Sequence, residues 1–315
     1  MQKEKIYDVL IVGGGPAGVA AGIYCARKKL DTILITDNFG GQSIVSNKIE
    51  NWIGEIEISG YELAKKLEAH LRRFSDSIDI ITGDLVLKIE KEDLSDKTIF
   101  ISKTQKGDVF KSKTVIVCSG GRRRRLQVPG EKEFEGKGVF YCATCDAPLM
   151  KDKKVLVVGG GNAGLEAALE LFSFAKEVYI AERSDKLKGD PITREKVLTN
   201  KKLKEIFYNT EVQEIKGNKF VESVLLKNNK TGESKEFQVD GVFVEIGSVP
   251  NSEIIDFVEK NKYGEIIVDS KYGTTSFPGI FAAGDVTDDP FKQNNIAAGD
   301  AIKCALSAFN YLHKE

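Results

Sequence analysis

Tyr7-Asp8-Val9-Leu10-Ile11-Val12-Gly13-Gly14-Gly15-Pro16-Ala17-Gly18 runs into a helical stretch over 19–29, and Lys154-Val155-Leu156-Val157-Val158-Gly159-Gly160-Gly161-Asn162-Ala163-Gly164 runs into another over 165–174. The two glycine clusters begin 146 residues apart, counted from Gly13 to Gly159. That offset is too long for a solenoid repeat and predicts one fold used twice. Each copy has an unbroken β-branched strand, a glycine turn, an alanine-bearing helix and a second strand, over 32–36 and 177–181. Continuous apolar strands alternating with helices predict parallel sheets covered on both faces. The expected class is α/β, with two Rossmann-like dinucleotide-binding domains.

Outward from these turns, 47–74 reads as mostly helical and 78–117 as short strands with a turn at Lys106-Gly107-Asp108. Two stretches read as linkers, 120–130 with its Arg122-Arg123-Arg124-Arg125 run, and 247–251. They predict a domain over 122–247 inserted into one built from 1–121 and 248–315. The final third returns with a strand over 279–283, then Gly284-Asp285, then a helix over 296–312. A length of 315 residues agrees with two domains, each able to bury a core. With 46 Lys plus Arg against 47 Asp plus Glu, the net charge is −1, and a nucleic-acid or membrane-surface partner is not expected. No apolar run approaches the roughly 18 residues of a membrane span. The charged start and the short run over 9–12 do not read as a secretory leader. Five Cys in a chain this long predict no disulfide scaffold, so a reducing cytoplasm is the expected setting.

In a G-x-G-x-x-G turn the first glycine allows the tight bend, the second lets backbone approach a pyrophosphate, and the third lets helix pack on strand. The helix N-terminus then offers unpaired N–H groups to the phosphates. Gly13, Gly15 and Gly18 occupy these places in one copy, Gly159, Gly161 and Gly164 in the other. An acid about 20 residues further on takes the ribose hydroxyls. Asp37 lies 19 residues after Gly18, and Glu182 lies 18 after Gly164. Two dinucleotides in one chain suggest a flavin and a nicotinamide, so that hydride passes between them.

Cys142-Ala143-Thr144-Cys145-Asp146 stands just before the second turn. Zinc needs four ligands; the other cysteines, 25, 118 and 304, read as small core residues, and His70 and His313 as solvated side chains, so no metal is expected. A structural disulfide gains little from so short a loop in a reducing compartment. A redox dithiol is the favoured reading, since C-x-x-C spacing lowers one thiol pKa. Asp146 is either a general acid for a leaving thiolate or the N-cap of a following helix. The arginine run reads as a solvated hinge.

These motifs occur in one order: GGGPAG, Gly40-Gly41-Gln42, Cys-Ala-Thr-Cys-Asp, GGGNAG and Ala282-Ala283-Gly284-Asp285. In this the chain resembles the low-molecular-weight thioredoxin reductases along nearly its whole length. The larger glutathione-reductase class keeps its disulfide beside the first turn and uses a C-terminal His, and neither feature is evident here. The resemblance implies FAD on the outer domain, a nicotinamide cofactor on the inserted one, and a homodimer. It implies that Gly13, Gly15, Gly18, Asp37, Gly41, Gln42 and Asp285 hold FAD, with Gln293 near its ring. Cys145 would face the flavin, Cys142 would exchange with a thioredoxin- or glutaredoxin-like partner, and Asp146 would be the acid. It further implies that the inserted domain rotates about its linkers.

NADPH-using members carry His-Arg-Arg-x-x-x-Arg for the 2′-phosphate; here the matching stretch is Glu182-Arg183-Ser184-Asp185-Lys186-Leu187-Lys188. A carboxylate there repels a 2′-phosphate, with Arg183 a weak counterweight, so NADH is expected over NADPH. In this, and in Phe39-Gly40-Gly41-Gln42 and Gly264-Glu265-Ile266-Ile267-Val268-Asp269, the chain is closer to the flavoprotein subunit of alkyl hydroperoxide reductase. That protein carries an extra thioredoxin-like module, for which 315 residues leave no room; the expected electron acceptor is a separate protein. Two rivals remain: a flavoprotein of this fold fed by ferredoxin or reduced flavin, and a sensor that binds both cofactors without turnover. The second glycine turn with Glu182 opposes the first, and the dithiol with its adjoining acid opposes the second.

Overall fold

In a computed structural model the chain is described over residues 5–46, 49, 51–93 and 98–313, except for the side chains of Val45, Thr144 and Cys145. It divides into two compact units, 1–122 with 249–315, and 123–248.

The discontinuous unit is organised on strand Ile6–Gly14, which lies between Thr32–Phe39 and Val109–Val117 and runs parallel to both. Ile78–Thr82 extends the parallel sheet on one side. On the other, Val109–Val117 takes two partners along its length. Thr98–Thr104 pairs antiparallel with its first half and Ile280–Ala282 parallel with its second. Val86–Asp93 completes the seven strands. Val9 and Ile11 face helices Pro16–Arg27 and Asn294–Leu312, while Leu10 and Val12 face Phe100, Ile255 and Ile266. Burial on both faces explains why the strand is an unbroken apolar run. Leu10 and Ile11 are fully buried, and truncating either to Ala costs ~2–5 kcal/mol.

Among the described residues of 47–74, the helix covers Gly60–Arg72. Ser59 starts that helix with a capping box: its hydroxyl accepts from the Glu62 N–H, and the Glu62 carboxylate accepts from the Ser59 N–H. Ahead of it the backbone pairs Ile49 with Ile58 in an antiparallel bridge.

The inserted unit has a five-stranded parallel sheet in the order Leu203–Tyr208, Glu177–Glu182, Lys154–Val158, Gly241–Val244, Val139–Phe140. Val155, Val157, Ile180 and Phe243 pack on helix Asn162–Leu171. Leu156, Val158 and Val244 pack on a three-stranded antiparallel sheet, Thr210–Gly217, Val221–Asn228 and Ser234–Gln238. The stretch that reads as a linker over 120–130 is mostly anchored in this unit. Buried Glu131 accepts from the Leu126 and Gln127 N–H groups and the Tyr141 hydroxyl, at 2.7–2.8 Å. The arginine run is not simply solvated either. Arg122 pairs with Asn251 and Glu253, Arg123 with Glu245, and Arg125 forks onto Glu135. Among the described residues, no helix is long and apolar enough to cross a membrane.

Candidate active site

The two glycine turns repeat each other in space. Gly13 and Gly159 have φ of +107° and +120°, a region open mainly to glycine. A Cβ on Gly13 would lie 2.3 Å from the Cys118 carbonyl oxygen, and one on Gly159 would lie 2.3 Å from that of Glu245. A Cβ on Gly18 would meet the Gly13 oxygen at 1.8 Å, and one on Gly164 the Gly159 oxygen at 2.0 Å. The first and third glycines are therefore required by packing. The middle ones are not. A Cβ on Gly161 would have no protein atom within 4 Å, and one on Gly15 would meet only Gly41, no closer than 3.8 Å. The helices that follow, Pro16–Arg27 and Asn162–Leu171, have these middle glycines as N-caps and receive no side-chain cap. Helices Gly60–Arg72 and Pro191–Leu198, in contrast, are capped by Ser59 and Asp190. Open space before uncapped N–H groups is what a pyrophosphate requires.

In the discontinuous unit, Gly41 faces Gly15, and Gly284 lies over Ala17 at the first helix. Gln42 Nε2 donates to Asp285 Oδ2 at 3.1 Å, joining two residues 243 positions apart in the chain. Asp37 is exposed beyond the turn. Gln293 borders a cleft of about 370 Å³, lined also by Ser43, Ser46, Ile49, Asn51, Lys292 and Asn294. Asn51 Nδ2 donates to Gln293 Oε1 at 3.2 Å, Ser43 Oγ to Asn294 Oδ1 at 2.9 Å, and Asn295 Nδ2 to the Asn51 oxygen at 2.6 Å. The sequence reading did not single out Asn51, Ser43, Asn294 or Asn295. Amides at Asn51 and at Gln293-Asn294-Asn295, beside a helix start, were the available signal.

In the inserted unit, Glu182 ends its strand buried, at 6% exposure. Its Oε2 accepts from the Gly160 N–H at 2.8 Å; its Oε1 accepts from the Ser184 N–H at 2.8 Å and hydroxyl at 2.6 Å. The carboxylate thus pins the glycine turn to the strand end, while Arg183 is exposed. Cys142 is disulfide-bonded and half-buried. It is the N-cap of the helical turn Ala143–Asp146, to which it gives no side-chain cap. Cys145 belongs to this turn, and its side chain lies outside those described. Asp146 gives no side-chain cap to the next turn, Ala147–Met150, which leaves the acid reading standing. Burial raises its carboxyl above the ordinary aspartate value. Cys25, Cys118 and Cys304 are buried and free, and burial pushes all three thiols up, keeping them protonated. Among the described residues no cluster of His, Cys, Asp or Glu is built to hold a metal.

Residues 7–301 match the family model described as pyridine nucleotide-disulphide oxidoreductase. The chain belongs to this family. It is therefore an oxidoreductase, with the family's flavin and nicotinamide chemistry. It is 43% identical over 310 residues to an NADH dehydrogenase of Bacillus subtilis (98% of this chain, 59% of that protein). It is 41% identical over 308 residues to an alkyl hydroperoxide reductase subunit of Pseudomonas aeruginosa (97% of this chain, 58% of that protein). This pyridine nucleotide-disulphide oxidoreductase thus spans about three-fifths of the length of such relatives. Lactococcus lactis thioredoxin reductase superposes with a TM-score of 0.78 at 36% identity, covering 97% of this chain and 99% of that one. The thioredoxin reductase of T. acidophilum gives 0.76 at 35%, covering 99% and 100%. The open middle glycines and uncapped helix starts fit two dinucleotides.

Proposed function

We propose that the protein is an FAD-dependent reductase that prefers NADH and reduces a thioredoxin- or glutaredoxin-like protein through Cys142 and Cys145. The observation that carries this reading is the disulfide-bonded Cys142 beside a half-buried acid, in the unit that also holds the second glycine turn. Gly13, Gly15, Gly18, Asp37, Gly41, Gln42 and Asp285 would hold FAD, with Gln293 at its ring. Gly159, Gly161, Gly164 and Glu182 would hold NADH, with Arg183 at the margin. The bound cofactors supply a two-electron path from reduced nicotinamide to the disulfide. Once the dithiol is formed, the Cys142 thiolate attacks the partner's disulfide and releases one partner thiol. Cys145 then displaces the second, restoring Cys142–Cys145. Asp146 holds a proton for the departing thiolate.

The buried Glu182 carboxylate supports the nicotinamide preference, because a 2′-phosphate brought beside it meets like charge. The B. subtilis relative's name, NADH dehydrogenase, supports it as well. A homodimer in the cytoplasm completes the proposal; sedimentation velocity checks the dimer.

Cys142→Ser should abolish reduction of a protein disulfide while NADH still reduces the flavin; full turnover by that variant would refute the assignment. Parallel anaerobic titrations with NADH and NADPH, read by flavin absorbance, test the preference. Glu182→Ala combined with Ser184→Arg should move it toward NADPH, and a wild type that already prefers NADPH sinks this part of the reading.

A further inference from the structure

We propose that Glu131 is a positioning residue: through the Tyr141 hydroxyl it holds the chain entering the dithiol and favours closure of the Cys142–Cys145 bond. Tyr141 directly precedes Cys142. The strand before it, Val139–Phe140, is two residues long and forms an edge of the parallel sheet, paired with Gly241–Val244. The paired register ends at Phe140, and the Tyr141 side chain carries the order one residue further. Its hydroxyl donates to Glu131 Oε1 at 2.8 Å. The same carboxylate accepts from the N–H groups of Leu126 at 2.8 Å and Gln127 at 2.7 Å. Glu131 is 3% exposed, so these donors stand in for water. Two successive N–H groups converging on one anion form a nest. Gln127 takes φ of +60° there, a region that a side chain disfavours and that persists only where its surroundings over-determine it.

The turn that bears Glu131 is itself fixed. The Pro129 oxygen accepts from the Ile215 N–H at 3.0 Å, and a Cβ on Gly130 would meet the Ile215 oxygen at 1.9 Å. The Arg125 guanidinium lies 5.1 Å from the Tyr141 ring centroid, and its Nη1 donates to the hydroxyl at 3.4 Å. Arg125 is steadied in turn by its fork onto Glu135, both bonds at 2.8 Å. The phenol is thus held at its tip and over its ring, by groups that all belong to the inserted unit. Closing a disulfide brings two thiols to one geometry, and the equilibrium follows the effective concentration of one toward the other. A chain held at Tyr141 has less freedom to lose when Cys142 and Cys145 join. Dithiothreitol reads this directly: the protein disulfide takes two electrons and two protons to become a dithiol, while dithiothreitol gives them up and closes to its cyclic disulfide. Releasing the phenol moves that balance toward the protein dithiol.

This inference rests on the dithiol reading above, and the experiment separates the two. The full chain is equilibrated under argon with graded ratios of reduced to oxidised dithiothreitol and quenched in acid. Thiol labelling and mass spectrometry then give the reduced fraction of the 142–145 pair. Tyr141→Phe keeps the ring and removes the hydroxyl; the equilibrium should shift about fivefold toward the dithiol, the size of one ordinary hydrogen bond. Glu131→Gln, which also loosens 126–127, should shift it in the same direction by at least as much. Val224→Ala truncates a buried residue on the antiparallel sheet of the same unit. It should lower the melting temperature and leave the equilibrium unchanged. An unshifted Tyr141→Phe overturns the inference, even where Glu131→Gln fails to fold. So does a Val224→Ala shift that matches Tyr141→Phe, which is the mark of a general loss of stability. A wild-type pair that no ratio of dithiothreitol reduces would overturn the dithiol reading, and the inference with it.

Discussion

The two glycine turns agree wherever they pack on protein and differ where an acid would meet a sugar. Twenty-three residues after Gly13 stands Thr36; twenty-three after Gly159 stands Glu182. Each lies beneath its turn. A Cβ on Gly14 would sit 2.7 Å from Thr36 Oγ1, and one on Gly160 would sit 2.7 Å from Glu182 Oε2. Thr36 donates to the Asn38 oxygen at 2.7 Å, whereas Glu182 accepts from the turn itself. Asp37, counted from the sequence as the counterpart of Glu182, is one residue further and exposed. A one-residue step along a strand reverses the face a side chain presents. The same scaffold therefore carries an exposed acid at one site and an acid hydrogen-bonded to the turn at the other.

The widest separation between the sites and their scaffold should come from the middle glycines. Gly161→Ala adds a methyl where no protein atom lies within 4 Å, and Gly161 already has φ of −86°. Stability should change by no more than about 1 kcal/mol, while NADH affinity falls by about 100-fold, roughly 3 kcal/mol of lost phosphate approach. Gly159→Ala should instead unfold the turn, since its methyl would lie 2.3 Å from a backbone oxygen. Calorimetric titration with NADH, read beside thermal melting, checks both. Unimpaired binding by Gly161→Ala would mean that no phosphate lies against this turn.

Next in size is Glu182→Ala. Removing the carboxylate orphans the Gly160 and Ser184 N–H groups, and hydrogen bonds to a charged acceptor contribute ~1.5–3 kcal/mol each. A loss of about 3 kcal/mol in the inserted unit should follow, visible as faster hydrogen exchange along Lys154–Val158. The discontinuous unit should be unaffected. If the loss were nil, Glu182 would not brace its turn, and the contrast between the turns would vanish.

The sequence carried the frame of the molecule because its decisive signals are local. An unbroken apolar strand, a glycine triplet and a helix with small residues on one face are consecutive in the chain, and two copies reinforce each other. What escaped depends on contacts between distant segments. Gln42 meets Asp285 and Asn51 meets Gln293 only after folding. Glu245 reads as an interruption in an apolar stretch, and folding brings Arg123 to its carboxyl. Glu131 turned an apparent linker into an anchored segment by the same means. The helix start at Ser59 was legible, since Ser59-x-x-Glu62 is a local capping signature, yet the broad reading of 47–74 passed over it.

Glu245 extends the comparison, because the discontinuous unit has Cys118 where the inserted one has Glu245: each residue's carbonyl oxygen packs under the first glycine. A carboxyl raised by burial to about 7 when folded titrates near 4.3 when unfolded. The stability tied to it is whole below about pH 4.3 and is lost as pH rises through 7, since the unfolded chain ionises first. Against wild type, Glu245→Gln should gain about 2 kcal/mol between pH 5 and pH 8, a discounted figure for the buried group. Exchange protection of Lys154–Val158 at the two pH values measures it, and a gap that does not change with pH would mean that the carboxyl titrates normally.

Asp37→Ala should have the smallest effect on the fold. Asp37 is exposed, and its described side-chain partner is its neighbour Asn38, whose Nδ2 donates to it at 3.1 Å. An exposed side chain without a buried partner contributes within about 0.5 kcal/mol of nothing. Melting of the FAD-free protein should therefore match wild type. Any effect should appear only in the presence of FAD, as a weaker gain in melting temperature on adding the cofactor, because a ligand's stabilisation grows with the logarithm of its concentration over its Kd. A variant that melted early without FAD would show that Asp37 supports the turn as Glu182 does. A variant that gained as much from FAD as wild type would remove Asp37 from the site, leaving Thr36 and the Gln42–Asp285 pair as the groups near the first turn.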